Sequence, residues 1–156
     1  MRKLPAHLRL RVLARGLDGA GETELKKGLE SRGLADRVGV IGGWQTAEQL
    51  KAEIQSALAV VLPFVLVPSE VPVSVLEVIA RGTPAIVTDI DGLPESVGDA
   101  GVVVPPGDGD RLAAAMLELA SQPEKVALLR QACLRRRETF HDWDAVAERW
   151  AAVLQI

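Results

Sequence analysis

The first residue that invites chemistry is Glu77, a carboxylate set among Val75, Leu76, Val78 and Ile79 in a segment of helical character. A charge in apolar company needs a partner or a ligand, because burying it bare is costly. A vicinal diol such as that of ribose can donate two hydrogen bonds to one carboxylate. On the solvent face of its helix the same residue would need neither, and its neighbours alone leave both readings open. Just upstream, Pro72 suits the first turn of a helix, where its missing N–H is no loss. The amides of Val73, Ser74 and Val75 would then point out of the helix start. With the macrodipole they form a site suited to a phosphate or diphosphate. An ordinary helix start, satisfied by Ser69 or by water, is the alternative.

Other reactive residue types point less far. Asp89–Ile90–Asp91 and Asp108–Gly109–Asp110 each spell an acid pair of the kind that can hold a metal, yet both suit turn and cap positions. No metal site is expected. His7 and His141 stand apart in sequence, and Ser74 has no recognisable base, so neither a general base nor a nucleophile is expected. Cys133 is the single cysteine and can form no internal disulfide. Arg135–Arg136–Arg137 reads as a solvated helix end favoured by the dipole, with peripheral contact to anionic lipid as the second reading.

These residues need a scaffold to bring them together. Leu8–Ala14 alternates as a strand with one more polar face, near a sheet edge. Residues 21–33 form a helix closed by Gly33, which Gly28 weakens by roughly 1 kcal/mol relative to alanine. Arg37–Ile41 is the second strand, ending at Gly42–Gly43–Trp44. Thr46 and Gln49 spell a capping box that opens a helix to about Ser56. Ala57–Leu62 is an unbroken apolar run of the kind buried on both faces. Val73–Arg81 is the next helix, stopped by Gly82, and Pro84–Thr88 and Gly101–Val104 are further strands. Leu112, Met116 and Leu119 line one helix. Ser121 and Glu124 spell a second capping box before a helix lined by Val126, Leu129 and Cys133. Asp142 caps a last helix whose buried stripe is Trp143, Val146, Trp150 and Val153. Strands alternating with helices predict an α/β fold, a Rossmann-like, mostly parallel sheet flanked by helices, with a C-terminal helical tail packed back onto it. Ligands of such sheets bind at the carboxyl ends of strands, where the 68–77 loop and helix lie.

With 156 residues, 48% hydrophobic and 25% charged, the chain suits one globular domain over 1–156. A net charge of −3 gives no electrostatic footprint for nucleic acid. The opening MRKLPAHLRL has basic residues but no apolar core of a signal peptide, so the expected location is cytoplasmic.

The run PSEVPVSVLEVIARGTPAIVTDIDGLPESVGDAGVVVPPGDGDRLAAAM resembles the donor half of GT-B glycosyltransferases of the retaining, family-four type. ARGTPAIVTDIDGLPE and GVVVPPGDGDRLAAAM match that family's motifs in order. LRLRVLARG and LADRVGVIGGW are similar to its preceding strands, and FHDWDAVAERW to its closing helix. The resemblance implies a nucleotide diphosphate sugar as ligand, with no metal and no further cofactor. By position, Glu77 matches the glutamate that holds the ribose. Val73, Ser74 and Val75 match the amides that hold the diphosphate, and Gly42, Gly43 and Trp44 match the loop beside the base. Ser69 occupies the place of the family's first glutamate, with Glu70 one residue later; either is implied to contact the donor sugar, Glu70 by a one-residue shortening. Val71–Pro72 replaces the family's glycine-containing turn, which removes an amide donor.

The family's first donor-domain strand, with its Arg and Lys, has no match here, and Arg2–Lys3 do not reproduce the spacing. The resemblance puts that strand between the first and third strands of this chain. It also implies that the acceptor-binding GT-B domain lies outside the chain, so no turnover by the chain alone is expected. Two rival readings remain: a non-catalytic nucleotide-sugar-binding module, and a protein-interaction domain with this fold and no ligand.

Overall fold

The computed structural model describes residues 4–67 and 72–154. Ser69, Glu70 and Val71 lie outside the described residues. In chain order the elements are β1 (Leu10–Ala14), α1 (Gly19–Glu30), β2 (Val38–Gly42), α2 (Ala47–Ser56), β3 (Val60–Leu62), α3 (Val73–Ala80), β4 (Ala85–Thr88), α4 (Leu93–Val97), a 3-10 turn (Gly98–Ala100), β5 (Gly101–Val104), α5 (Gly109–Ser121), α6 (Pro123–Arg137) and α7 (Trp143–Leu154). All strand pairing is parallel, as predicted, but it falls into two sheets: β1 with β2, and β3–β4–β5.

The core is built around β4, every residue of which is buried. Successive side chains of a strand point to opposite faces. Ala85 and Val87 therefore join Val75, Val78 and Ile79 of α3, Leu93 and Val97 of α4, and Ala132 and Cys133 of α6. Ile86 faces the other way, with Val104, Ala115 and Leu119 of α5 and Val126 and Leu129 of α6. Burial raises the Cys133 thiol from 9.0 to about 11, so it stays protonated at neutral pH. Two buried threonines tie this core to the segments around β3: Thr83 Oγ1 donates to the Ile54 carbonyl at 2.9 Å and Thr88 Oγ1 to the Phe64 carbonyl at 2.6 Å.

Local signals set many of the boundaries. Both bonds of the capping box form, Gln49 N to Thr46 Oγ1 at 3.2 Å and Thr46 N to Gln49 Oε1 at 2.8 Å. Gly82, with φ +73, closes α3: its amide donates to Ile79 and that of Thr83 to Val78. Gly33 closes α1 in the same left-handed way. Asp108 Oδ1 accepts from the amides of Asp110 and Arg111, and Asp142 Oδ1 from Ala145, so both cap their helices.

Four expectations are corrected. The strand in the apolar run 57–62 is only Val60–Leu62 and half-buried, because β3 has a neighbour on one side alone. The Ser121–Glu124 box does not form: α6 begins at Pro123 without a side-chain cap, and the Ser121 hydroxyl donates back to Leu117 and Glu118 within α5. The stripe on α7 is not buried, with Trp143 86%, Trp150 61% and Val153 74% exposed. No residue of α7 is buried, whereas α5 and α6, which open the helical tail, pack onto the sheet as expected. Finally, the arginine run is part of the scaffold rather than a purely solvated end. Arg135 pairs with Asp99 at 3.0 Å, and Arg136 donates to the carbonyls of Ser96 and Glu95, joining α6 to α4.

Candidate functional site

The loops at the carboxyl ends of β1, β2 and β3 carry the candidate residues. Pro72 occupies the N-cap position of α3 (φ −62, ψ 131), and no side chain among the described residues caps the helix. Val73 is exposed, and the amides of Val73 and Ser74 have no acceptor among the described residues. Val75 differs from expectation: its amide donates to the Pro72 carbonyl at 3.0 Å, and the residue is buried. A tight first turn thus uses one of the three amides and leaves two without an acceptor among the described residues. The apolar spacing of Val75, Val78 and Ile79 fixes the buried face of α3 and so aims its amino end out of the core.

Glu77 lies off that buried face, its side chain 36% exposed. It meets Arg81 one turn on, at 3.9 Å, and Arg81 also donates to the Glu77 carbonyl at 3.0 Å. An exposed pair of this spacing stabilises a helix by only about 0.3–0.5 kcal/mol. The acid is therefore neither sealed in the core nor locked in a strong ion pair, and it can accept from a ligand. Among the described residues, Arg81 Nε is buried without a partner.

At the end of β2, Gly42 abuts the Glu22 carboxylate so closely that a Cβ would collide with it. Gly43 takes φ +74, a conformation that favours glycine. Gln45 Nε2 donates to the carbonyls of Gly42 and Gly43 at 3.1 and 2.9 Å, bracing the turn. Trp44 is thereby held out, 78% exposed. Arg15, which follows β1, lies over the Trp44 ring at 5.0 Å from its centroid. Sequence reasoning missed Arg15; only its place just beyond an alternating strand hinted at it. Pairing β1 with β2 in register brings the two residues together, a cation–π contact between two exposed groups.

The remaining candidates scatter. His7 and His141 are both exposed. Among the described residues no cluster of His, Cys, Asp or Glu is arranged to hold a metal ion. A groove of about 540 Å3 between β5 and α5, lined by Val103, Pro105, Arg111 and Glu118 among others, includes none of the candidate residues. No helix among the described residues is long and apolar enough to cross a membrane.

Comparison with known proteins fits this geometry. Residues 2–122 match the family described as "Glycosyl transferases group 1". The chain is 31% identical over 162 residues to the MMP alpha-(1->4)-mannosyltransferase of Mycolicibacterium hassiacum, covering 97% of this chain and 38% of the relative. It is 32% identical over 109 residues to the alpha-D-kanosaminyltransferase of Streptomyces kanamyceticus, covering 69% and 28%. The chain thus spans well under half the length of these relatives. In fold it is similar to HepE of Anabaena, solved in complex with UDP (TM-score 0.82, 19% identity, 98% of this chain and 42% of that one). It is also similar to the sucrose-phosphate synthase of Thermosynechococcus elongatus (TM-score 0.76, 22% identity, 99% and 46%). A match over most of its length, on a parallel α/β fold with an open helix start at a strand end, establishes that the chain belongs to the group 1 glycosyltransferase family.

Proposed function

We propose that the chain binds the nucleoside diphosphate sugar of a retaining glycosyl transfer, as the donor-binding part of a larger enzyme. The observation that carries this reading is the amino end of α3, where the amides of Val73 and Ser74 have no acceptor among the described residues and Glu77 lies one turn on. The diphosphate rests against those amides. When the bond between the sugar's anomeric carbon and the phosphate oxygen breaks, the oxygen keeps the electron pair, and the amides and helix dipole stabilise its growing charge. Glu77 accepts hydrogen bonds from the ribose hydroxyls and fixes the position of the diphosphate relative to the helix. Gly42, Gly43 and Trp44 place the base, with the Trp44 ring and Arg15 offering it a flat, cationic surface. Glu70 or Ser69 orients the sugar. HepE, of similar fold, was crystallised with UDP and with UDP-glucose, which supports a nucleotide sugar as ligand.

Titration calorimetry with UDP-glucose, GDP-mannose and ADP-glucose tests the reading. One of them should bind, and Glu77→Ala should weaken it by about tenfold or more, the worth of a lost charged hydrogen bond, with the melting temperature unchanged. An unchanged affinity would overturn the role of Glu77, and absence of binding by all three would favour an interaction domain. The same purified chain is expected to show no sugar transfer to any acceptor, because the residues of an acceptor site are not in this reading; measurable turnover would refute that.

A further inference from the structure

Strand β5 ends the three-stranded sheet on the side away from β3, and its outer edge is open among the described residues. In a parallel strand, alternate residues turn N–H and C=O together toward one neighbour. The Asp89 amide donates to the Val104 carbonyl at 2.9 Å, so Val102 and Val104 face β4, and Gly101 and Val103 face outward. Neither of these two has a backbone partner among the described residues. Native sheets blunt a free edge with charge, proline or a covering element. The strand itself, Gly-Val-Val-Val, carries neither charge nor proline, and Val103 is exposed.

Helix α5 lies over β4 and β5, with Ala115 and Leu119 packed in one cluster with Ile86 and Val104. Its free flank adjoins the open edge. The groove between them is lined by Val103 and Pro105 on the strand side and by Arg111, Ala114 and Glu118 on the helix. Those three positions, at i, i+3 and i+7, share one face over two turns. Arg111 stands exposed at one end of this row, and Ala114 in the middle is exposed and small. Glu118, at the other end, gives Oε1 to Lys125 at 2.6 Å. Its second oxygen is left to accept from a further donor. Turned end for end, cation–alanine–anion becomes anion–alanine–cation, so the row is its own complement about a two-fold axis.

We propose that the β5 edge and the adjoining flank of α5 are the surface through which two copies of this chain associate, about a two-fold axis perpendicular to the sheet. The occupant is a second copy because the charge row matches itself. The two β5 strands pair antiparallel, Gly101 of each opposite Val103 of the other, and each such pair exchanges both N–H···O bonds. Val102 meets its own counterpart on the axis. Strands so paired lie about 5 Å apart, which brings the two α5 helices to roughly the 8–10 Å of close helix packing. The helices run antiparallel across the axis with Ala114 where they approach, and Arg111 of each copy meets the partner's Glu118. None of the candidate nucleotide-binding residues lines this groove, so both faces can be occupied at once.

Sedimentation equilibrium of the 156-residue chain tests this between about 5 and 500 µM, a range in which small interfaces titrate. A monomer–dimer equilibrium is expected. Val103→Pro removes an outward N–H and no bond to β4, and should weaken the dimer by about tenfold or more with the circular dichroism unchanged. Arg111→Glu sets like charges opposite one another at both contacts, as does Glu118→Arg, and each variant alone should be monomeric. Mixed in equal amounts, the two should form a one-to-one heterodimer, because the first is acidic at both positions and the second basic at both. A parent chain that stays monomeric throughout would overturn the proposal. So would a dimer indifferent to Val103→Pro and to the charge reversals, such as one joined through the exposed tryptophans of α7. Failure of the two mixed variants to associate would overturn it as well.

Discussion

The two sheets of this chain are both parallel yet meet opposite fates. β4 is buried along its whole length, between β3 and β5 and beneath α3, α4, α5 and α6. β1 and β2 have one partner each, and α1, which packs against β2, has no buried residue. The difference teaches that apolar content does not decide burial; the number of neighbours does. The three-stranded half is a core, whereas the two-stranded half is a flap attached through α2. The binding reading draws on both, with the helix start from the core and Trp44 and Arg15 from the flap.

The sharpest way to break this comparison is to truncate matching residues in the two halves. Ile79→Ala, in the buried cluster, should cost about 2–5 kcal/mol in urea unfolding, and Leu25→Ala on α1 about 1 kcal/mol or less. Similar losses at both sites would mean that the flap is as well packed as the core. Next in size, Thr46→Ala removes the capping-box acceptor at the start of the linking helix and should cost about 1 kcal/mol. If the flap is held through α2, hydrogen exchange in β1 and β2 should quicken in this variant more than in β4; equal acceleration would count against a linker role. The smallest effect is expected for Trp143→Ser combined with Trp150→Ser, within about 0.5 kcal/mol of the parent, since both rings are exposed. A larger loss would show that α7 is packed in solution.

Much of the site was readable from the chain as written. Pro72 ahead of an apolar stripe, with Gly82 beyond it, set the bounds of α3 and the outward course of its first amides. Gly42–Gly43 announced a turn that holds Trp44 out. What misled was stripe logic. Trp143, Val146, Trp150 and Val153 recur at helical spacing, and spacing tells which face is apolar but not whether anything lies opposite it. Ser121 failed as a cap for a related reason: its hydroxyl had a competing acceptor one turn back in α5, and Pro123 started the next helix without it.

By itself, then, the sequence determined what is decided within a few residues: the helix starts at Thr46 and Asp108, the stops at Gly33 and Gly82, the parallel alternation of strands and helices, and the motifs of its family. The helix starts and stops arise from hydrogen bonds between near neighbours in the chain, and their energies need no distant partner. Only the tertiary structure decided that β4 is core while β3 is an edge strand, that Glu77 is left half-open, and that Arg15 lies over Trp44. Burial and the Arg15–Trp44 contact depend on which surfaces meet across tens of residues, and a pattern of residue types carries no record of what, if anything, it will face.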